Sequence, residues 1–359
     1  TFPRTAEVKD PAGLERGFGG VVAGVDFDGD GLPEIYAVNT NMIDEPYELV
    51  PRIYKFEWNP VTSAWDSVWG AVAPVELQNT WPALAAGDLD EDGKMELYWA
   101  PVNNIGTDLN PARILVYEYS GTGEGMGVDD GFGGFEPNAK TSIVTAPSFN
   151  VRPVRIVIAD VDNDATEEII FVDRAAGAGD WHVGVLSVDD IPDNGGGLET
   201  WTVEFSGVGD INLSGSGNKW DLAVLNNYIY VFDGNLTDGS KVWPIRYAGG
   251  TWETLPGQSG IAGGNSSFKG AQVVDINNDG TKEVLVAEWL GNAVGQGAKV
   301  WLLQQDGDTL LPTQIVDLES LGAVRLMTSA AGDIDGDGNL DFVIGSRYQV
   351  ENTARVPVF

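Results

Sequence analysis

Short apolar runs, separated by turns rich in Gly, Asp and Asn, recur along the whole chain. Runs of four or five residues that are rich in β-branched and aromatic side chains and bounded by turn residues are typical of strands. Five such runs follow an acidic residue directly, at 35–38, 97–100, 169–172, 284–287 and 342–345. No segment keeps a helical period over three turns, so the pattern predicts an all-β fold built from many short strands.

One nine-residue pattern precedes each of these five runs. It reads Asp-x-Asp/Asn-x-Asp-Gly/Ala-x-x-Glu/Asp, with an apolar residue at position two every time. The copies span 26–34, 88–96, 160–168, 275–283 and 333–341. A motif that returns at such intervals indicates a repeat architecture in which each copy marks one supersecondary unit.

The pattern has the chemistry of a calcium loop. Oxygen donors at positions 1, 3 and 5, a sharp turn at position 6 and a final acid suit a hard cation of this size, and the backbone carbonyl of position 7 would complete the set. Carboxylates this close repel by about 4 kcal/mol per pair at 4 Å and an effective dielectric near 20, which a divalent ion relieves. Five solvated acidic turns are the alternative, because Asp and Gly are common in turns.

The sequence therefore predicts about five structural Ca²⁺ ions. The predicted ligands are Asp26, Asp28, Asp30, Leu32 and Glu34; Asp88, Asp90, Asp92, Lys94 and Glu96; Asp160, Asp162, Asp164, Thr166 and Glu168; Asp275, Asn277, Asp279, Thr281 and Glu283; and Asp333, Asp335, Asp337, Asn339 and Asp341. Ala165 stands where the other copies have Gly, and a left-handed Ala costs about 1 kcal/mol. We expect the third site to be the weakest.

An EF-hand loop differs from this pattern. It needs a Glu at position 12 and flanking helices, but position 12 is Ala37, Trp99 and Phe171 in the first three copies. The acid stands at position 9 instead and leads into a strand. The predicted ion therefore lies in a connection between strands.

The loops resemble the FG-GAP or VCBS repeats of propellers of the integrin α-chain type. Besides the acidic motif, Gly-Phe-Gly-Gly precedes the first loop and Phe-Lys-Gly, beginning at Phe268, precedes the fourth. The resemblance implies that each repeat is one four-stranded blade and that the calcium loop joins its first two strands. It also implies that the loops lie on the face opposite the main partner-binding face.

The spacing of the motifs predicts six blades in a single domain over residues 1–359. The interval between the third and fourth copies is about twice the others, and a decayed copy, beginning at Asp210 and expected to hold no calcium, lies inside it. The approximate blade bounds are 17–75, 76–147, 148–206, 207–260, 261–320 and 321–359, the last closed by 1–10. A seven-bladed ring is less favoured, since it needs a blade within 120–140.

The last repeat ends one strand short. Its third predicted strand is 355–359, and residues 1–8 have no other place, so we expect them to supply the missing outer strand and protect an open edge. Donation of this strand to a neighbouring molecule would instead build a filament. The sequence leaves both possibilities open.

The net charge and the composition limit the classes of binding partner that we expect. The 54 Asp and Glu outnumber the 20 Lys and Arg, giving a formal charge of −34, which repels nucleic acid and anionic membranes. No apolar run approaches the roughly 18 residues that a membrane span needs, so no membrane insertion is expected. The chain begins at Thr1 without a start Met, which we interpret as removal of a signal peptide from a secreted or cell-surface protein.

Candidate catalytic groups are few. His182 is the only histidine, and a lone His in an apparent strand favours a structural role; most clustered acids already belong to loops. We therefore expect a non-enzymatic extracellular calcium-binding propeller that serves adhesion or binds a protein or glycan. The alternatives are a self-assembling subunit of a filament or surface layer and a polysaccharide-degrading enzyme on the same scaffold. The Gly-rich insertion 121–134 is interpreted as a solvated loop, with a recognition loop as its alternative.

Overall fold

The computed structural model confirms the all-β prediction. It describes residues 6–11, 17–40, 51–73, 82–101, 114–141, 153–173, 182–196, 199–207, 219–233, 241–261, 267–289, 299–318 and 326–346. These residues form 25 strands. The segments between them are not described further, and within the described residues no helix is long and apolar enough to cross a membrane.

Most strands belong to successive sheets in which sequence neighbours are also hydrogen-bonded neighbours. The first sheet contains β1 (Phe18–Val25), β2 (Glu34–Asn39), β3 (Arg52–Asn59) and β4 (Ala64–Val72). The second contains β5 (Ala83–Gly87), β6 (Glu96–Ala100), β7 (Ile114–Glu118) and β10 (Ala139–Thr141), with a separate hairpin, β8 (Val128–Asp129) and β9 (Phe135–Glu136), inserted after β7. The third contains β11 (Pro153–Ala159), β12 (Glu168–Asp173), β13 (Val183–Val188) and β14 (Trp201–Ser206).

The later sheets continue this order. The fourth contains β15 (Lys219–Leu225), β16 (Tyr228–Asp233), β17 (Lys241–Ala248) and β18 (Thr251–Thr254), with β19 (Gln258–Ser259) paired to β17. The fifth contains β20 (Ser267–Val274), β21 (Glu283–Trp289), β22 (Lys299–Asp306) and β23 (Thr309–Asp317), and β24 (Leu326–Gly332) pairs with β25 (Asp341–Ser346). Five sheets thus have the four strands expected of a blade, and the sixth is described only as a pair.

The chain divides into two compact units. One is Thr1–Ile158 with Thr166–Phe171 and Gly184–Glu204, and the other is Ala159–Ala165, Val172–Val183 and Phe205–Phe359. In the first unit, aromatic and aliphatic side chains of the first two sheets form one core that includes Tyr36, Trp69 and Trp99. In the second unit, the fourth and fifth sheets share a core that includes Phe232 and Phe268. The sheets of each unit are therefore held face to face by buried apolar surface.

The fourth sheet departs from the repeat. The sequence leads to a second strand at 221–224 after the decayed loop, but β15 is an end strand in the described sheet and pairs only with β16 there. The two join through Asn226 and Asn227, which both have positive φ, as tight hairpins require. β15 packs against β20 in the way that β20 packs against β24. It therefore takes the place that first strands occupy in the neighbouring sheets.

Two of the sequence predictions concern segments outside the residues that the structure describes. The decayed loop at 210–215 and the final strand at 355–359 lie outside the described residues. Residues 6–10 are described and lie in no strand; Val8 packs against Ala37 and Phe56, and the Tyr54 hydroxyl donates to Asp10 at 2.8 Å. The six-blade count and the origin of the closing strand therefore remain predictions.

Candidate metal loops

The five acidic motifs share one backbone hydrogen bond. In every copy the amide of position 6 donates to a carboxylate oxygen of position 1. The bonds run from Gly31 to Asp26 (3.0 Å), Gly93 to Asp88 (3.1 Å), Ala165 to Asp160 (3.2 Å), Gly280 to Asp275 (2.9 Å) and Gly338 to Asp333 (2.9 Å). The amide of position 5 donates to the side chain of position 3 in all five copies as well, at 3.0–3.4 Å. The loops are thus folded to one pattern.

Position 6 needs a left-handed backbone in every loop. The φ angle is +87° at Gly31, +89° at Gly93, +86° at Gly280 and +89° at Gly338. Ala165 has φ of +76°, so the substitution noted in the sequence does force an L-residue into the region that glycine favours. The turn bends the chain so that the side chains on either side of it can meet.

The acid at position 9 is buried behind each of the first four loops. Glu34, Glu96, Glu168 and Glu283 are at most 2% exposed. The Phe27 amide donates to Glu34 at 2.9 Å, and the Leu89 amide donates to Glu96 at 2.8 Å. The hydroxyls of Tyr36 and Tyr98, two residues further on, donate to the same two carboxylates at 3.0 and 2.5 Å. In both residues these contacts use only Oε2; Oε1 of Glu34 lies 2.6 Å from the ammonium of Lys55, whereas no ion pair is formed by Oε1 of Glu96 within the described residues.

In the second loop the four acidic side chains converge. Carboxylate oxygens of Asp88, Asp90, Asp92 and Glu96 lie within 4.8 Å of one another, and Asp160, Asp162, Asp164 and Glu168 form the corresponding group between β11 and β12. The second oxygen of Glu96, Oε1, accepts no hydrogen bond from any residue that the structure describes. Burial, offset by the bonds from Tyr98 and Leu89 and reinforced by the nearby aspartates, raises the pKa of Glu96 to about 8.

The fourth loop repeats this feature. One oxygen of Glu283 also accepts no hydrogen bond within the described residues, and burial, followed by the charges of Asp279 and Asp275, raises its pKa. A buried, unsatisfied carboxylate oxygen aimed among other carboxylates is costly unless a cation neutralises it. The donor set is all oxygen, as Ca²⁺ prefers, so the residues present fit such an ion; the carbonyls of position 7 remain predicted ligands.

The first loop contains an additional charge, Lys55 on β3. Its ammonium lies 2.8 Å from Asp28 Oδ2, 2.6 Å from Glu34 Oε1 and 2.5 Å from Glu124 Oε2, and its side chain is 1% exposed. Burial opposes the charged form, but the hydrogen bonds that Lys55 donates to Asp28 and Glu124, together with the adjacent Glu34 carboxylate, raise the pKa of Lys55. Burial likewise opposes the charge of Asp28, yet the bond from Lys55 lowers its pKa. Lys55 is therefore a buried cation among four carboxylates, Glu57 being the fourth.

The second loop has a lysine at its edge instead. The ammonium of Lys94, at position 7, lies 2.7 Å from Asp92 and 3.2 Å from Glu118 and also pairs with Asp193. Glu118 is buried, and burial is the main cause that raises its pKa to about 8. Lys94 neutralises the acids beside the loop, while Glu96 stays within the converging group.

Three of the basic side chains pair with an acid from the next sheet. Glu124, which reaches Lys55, follows β7; Asp193, which reaches Lys94, follows β13. Asp308, between β22 and β23, lies 2.7 Å from Arg246 on β17 and accepts from the Tyr228 hydroxyl at 2.6 Å. In each case the acid belongs to the connection between the third and fourth strands of the following sheet, so three pairs of neighbouring sheets are joined by an ion pair whose acid lies at an equivalent place.

Sequence reasoning missed these partners. Lys55, Glu124 and Asp193 lie outside the motif and carry no local signal, because the contact is made by the fold. Glu57 and Glu118 could have been found: each lies at or near the end of the third strand of its sheet, β3 or β7, directly opposite the position-9 acid, Glu34 or Glu96. A third-strand acid at that position is the signal.

The histidine, the tryptophans and the Gly-rich insertion considered in the sequence analysis lie in different surroundings. His182 is buried and its backbone pairs with Asp173 and Gly207. Trp69 and Trp99 belong to the core, whereas Trp58 and Trp65 are only partly buried and meet edge to face at 5.5 Å. The insertion 121–134 is not merely a solvated loop, since its β8 pairs with β9, which directly follows it, and its Glu124 accepts a hydrogen bond from Lys55.

Comparisons with known proteins agree with this geometry. The sequence matches the FG-GAP-like repeat over residues 26–99 and 275–344. No curated protein matches the chain. Among solved structures, a Bacteroides fragilis protein provisionally assigned as a 6-phosphogluconolactonase is similar with a TM-score of 0.52 and 11% identity, over 92% of this chain and 77% of the other.

Two further solved structures are similar to this chain. The periplasmic gluconolactonase of Pseudomonas aeruginosa is similar with a TM-score of 0.50 and 14% identity, over 90% of this chain and 82% of the other. A GH43 β-1,3-galactosidase reaches a TM-score of 0.39 at 11% identity, over 83% and 93%, which is too low to carry a conclusion. At these identities the similarity concerns the fold alone. The motif, the four-stranded sheets and these matches together show that the chain carries FG-GAP-like repeats on a β-propeller fold.

Proposed function

We propose that this protein is a non-enzymatic, extracellular β-propeller whose loops bind calcium as a structural ion and whose surface binds a protein or a glycan. The observation that carries the calcium part is the buried oxygen of Glu96, which converges with three aspartates and accepts no hydrogen bond within the described residues. The same backbone bond in all five loops extends the interpretation to the other copies. Net charge of −34 supports a cation requirement.

Calcium would act mainly on stability. Extracellular modules bind Ca²⁺ with dissociation constants of about 10⁻⁴ to 10⁻³ M, so millimolar calcium fills most sites. A site at ten times its dissociation constant adds about 1.4 kcal/mol to the free energy of unfolding. Several loops together would decide whether the protein stays folded at physiological temperature.

Thermal unfolding tests this part. We expect the unfolding midpoint to fall when calcium is removed by a chelator and to recover when calcium is restored in excess. Magnesium is the control, since it demands tighter octahedral geometry and gives up its water reluctantly. An unchanged midpoint after chelation would contradict structural calcium.

The binding part is supported by the character of the described residues. The single histidine is buried, and each acidic cluster described above includes at least one acid of a metal loop. The tip of the β3–β4 hairpin is exposed, with Val61 91% exposed beside the Trp58–Trp65 pair. Partly solvent-exposed aromatic side chains are suited to contacts with sugars and proteins. This hairpin is therefore our candidate contact surface.

Paired assays separate binding from catalysis. We expect binding without turnover when the calcium-loaded protein is screened against glycan arrays and incubated with gluconolactone and with neutral and acidic polysaccharides. Val61→Asp should weaken the binding that is found, while Val203→Asp, an exposed change on β14, should not. Hydrolysis of any of these substrates would favour the enzyme alternative, and filaments in electron micrographs of the purified protein would favour the self-assembling one.

A further inference from the structure

We propose that Lys55 is the resident cation of the first loop, so that its ammonium takes the place that calcium takes in the other loops. The inference rests on the proposed calcium function and lowers the number of calcium sites. The sequence predicts about five calcium ions, whereas this arrangement leaves the first motif without one. The site that results is an internal ion cluster of Lys55 with Asp28, Glu34 and Glu124, bordered by Glu57.

The contacts of Lys55 are with the loop's own predicted ligands. Asp28 is position 3 and Glu34 is position 9 of the motif, and Lys55 lies 2.8 and 2.6 Å from them. Glu124, at 2.5 Å, is supplied by the second sheet. The ammonium therefore has three carboxylate partners: it donates hydrogen bonds to Asp28 and Glu124 and forms an ion pair with Glu34 Oε1.

The surroundings make this cation a fixed part of the fold. The side chain of Lys55 is 1% exposed and that of Glu34 is fully buried. Removing a buried charge from such partners would leave them uncompensated. Because Lys55 and a loop calcium would share the oxygens of Asp28 and Glu34, their like charges would repel at short range in a poorly hydrated place. Lys55 therefore competes with a loop calcium for these two carboxylates.

The second loop shows what the first would be without Lys55. There, Asp88, Asp90, Asp92 and Glu96 form one convergent group. In the first loop, Asp26, Asp28 and Asp30 also form a group, but Glu34 is not part of it and groups instead with Asp28, Glu57 and Glu124 around Lys55. Lys94 pairs with Asp92, Glu118 and Asp193 and is 28% exposed, so it borders the second loop without engaging its buried acid. The two lysines thus differ in the ligand that they contact.

Calcium stoichiometry tests the proposal. Asp30→Asn in the first loop is compared with Asp279→Asn in the fourth and Asp92→Asn in the second, each measured by calorimetric titration with CaCl₂. All three are position-5 residues whose Oδ1 accepts a backbone amide, a bond that Asn retains. We expect Asp30→Asn to bind as many calcium ions as the unaltered protein, and the other two to bind one fewer.

The outcomes are distinguishable. Loss of one calcium ion in Asp30→Asn would overturn the role of Lys55 while leaving the calcium function intact. No calcium binding by the unaltered protein, or no loss in both reference variants, would overturn the proposed ligands themselves. In the reverse direction, Lys55→Met folded in calcium should bind one more ion than the unaltered protein, and its unfolding midpoint should depend more steeply on calcium. An unchanged number of ions in folded Lys55→Met would also overturn the proposal.

Discussion

Glu96 on β6 lies directly opposite Glu118 on β7, and Glu34 and Glu57 stand in the same relation one sheet earlier. Like charges directly across a strand pair are destabilising unless something neutralises them. Glu118 has Lys94 at 3.2 Å, and Glu57 has Lys55 at 4.0 Å. The position-9 acids differ: Glu34 shares Lys55, whereas Glu96 has only its loop. The register is the same in both sheets, so the position of the lysine decides which position-9 acid has a protein cation.

The first prediction concerns the buried acid of the second loop. Glu96→Gln should bind one calcium ion fewer and lose that site's contribution to stability, about 1.4 kcal/mol at tenfold the dissociation constant. In chelator its stability should stay close to that of the unaltered protein, since an amide oxygen can still accept from Leu89 and Tyr98. Calorimetric titration and thermal unfolding measure both effects. Glu91→Gln, an exposed residue of the same loop, is the control and should change neither.

The second prediction concerns the lysine beside that loop. Lys94→Met should destabilise the protein by about 1–3 kcal/mol, because buried Glu118 loses its charged hydrogen-bond partner. Asp193→Asn removes another partner of Lys94 but one that is 60% exposed, so it should cost less than about 1 kcal/mol. Urea unfolding of both variants gives the comparison. Equal losses would contradict the unequal burial of the two acids.

The third prediction uses the one alanine among the five turns. Ala165→Gly should stabilise the protein by up to about 1 kcal/mol, because φ at this position is +76°. Gly93→Ala, at φ of +89°, should cost a similar amount, and a Cβ there would meet no atom within 4 Å. The pair isolates backbone strain from packing. Denaturant unfolding with and without calcium should show opposite shifts for the two variants.

The fourth prediction concerns the close approach of β20 and β24. Gly270 lies at an irregularity of β20 with φ of +66°, and a Cβ there would come within 2.7 Å of the backbone of Thr328 and Ser329. Backbone cannot swing aside as a side chain can, so Gly270→Ala should destabilise by several kcal/mol, combining overpacking with left-handed strain. The midpoint of unfolding measures it. Gly332→Ala, which meets no atom within 4 Å, should have a much smaller effect.

The sequence predicts those parts of the fold that depend on residues close together in the chain. Short apolar runs and turn residues identify the strands after each loop, whereas the burial of Glu34, Glu96, Glu168 and Glu283 is added by the structure. The left-handed turn at Ala165 follows from the motif alone. These features depend on residues a few positions apart, so their spacing carries the information.

Contacts between sheets could not be predicted in this way. Lys55 sits in a strand pattern that gives no sign of full burial, and Glu124 is a residue of a Gly-rich insertion more than sixty positions further on. The motif also did not predict the strand order of the fourth sheet, because its end strand β15 follows a degenerate copy of the motif and joins β16 through a tight Asn-Asn turn. Without an intact motif, the sequence does not indicate which strand of the sheet comes first.

The acids that reach back from each following sheet, Glu124, Asp193 and Asp308, bear on how such a protein can be rearranged. A sheet cut out at its strand boundaries loses one acidic partner of its own lysine or arginine. The intervals between the partners, 55–124 and 94–193, overlap, so a junction anywhere between residues 55 and 193 separates at least one pair. A junction between residues 193 and 246 separates none of the three pairs, so chimeras joined there keep each of these cations with its acid.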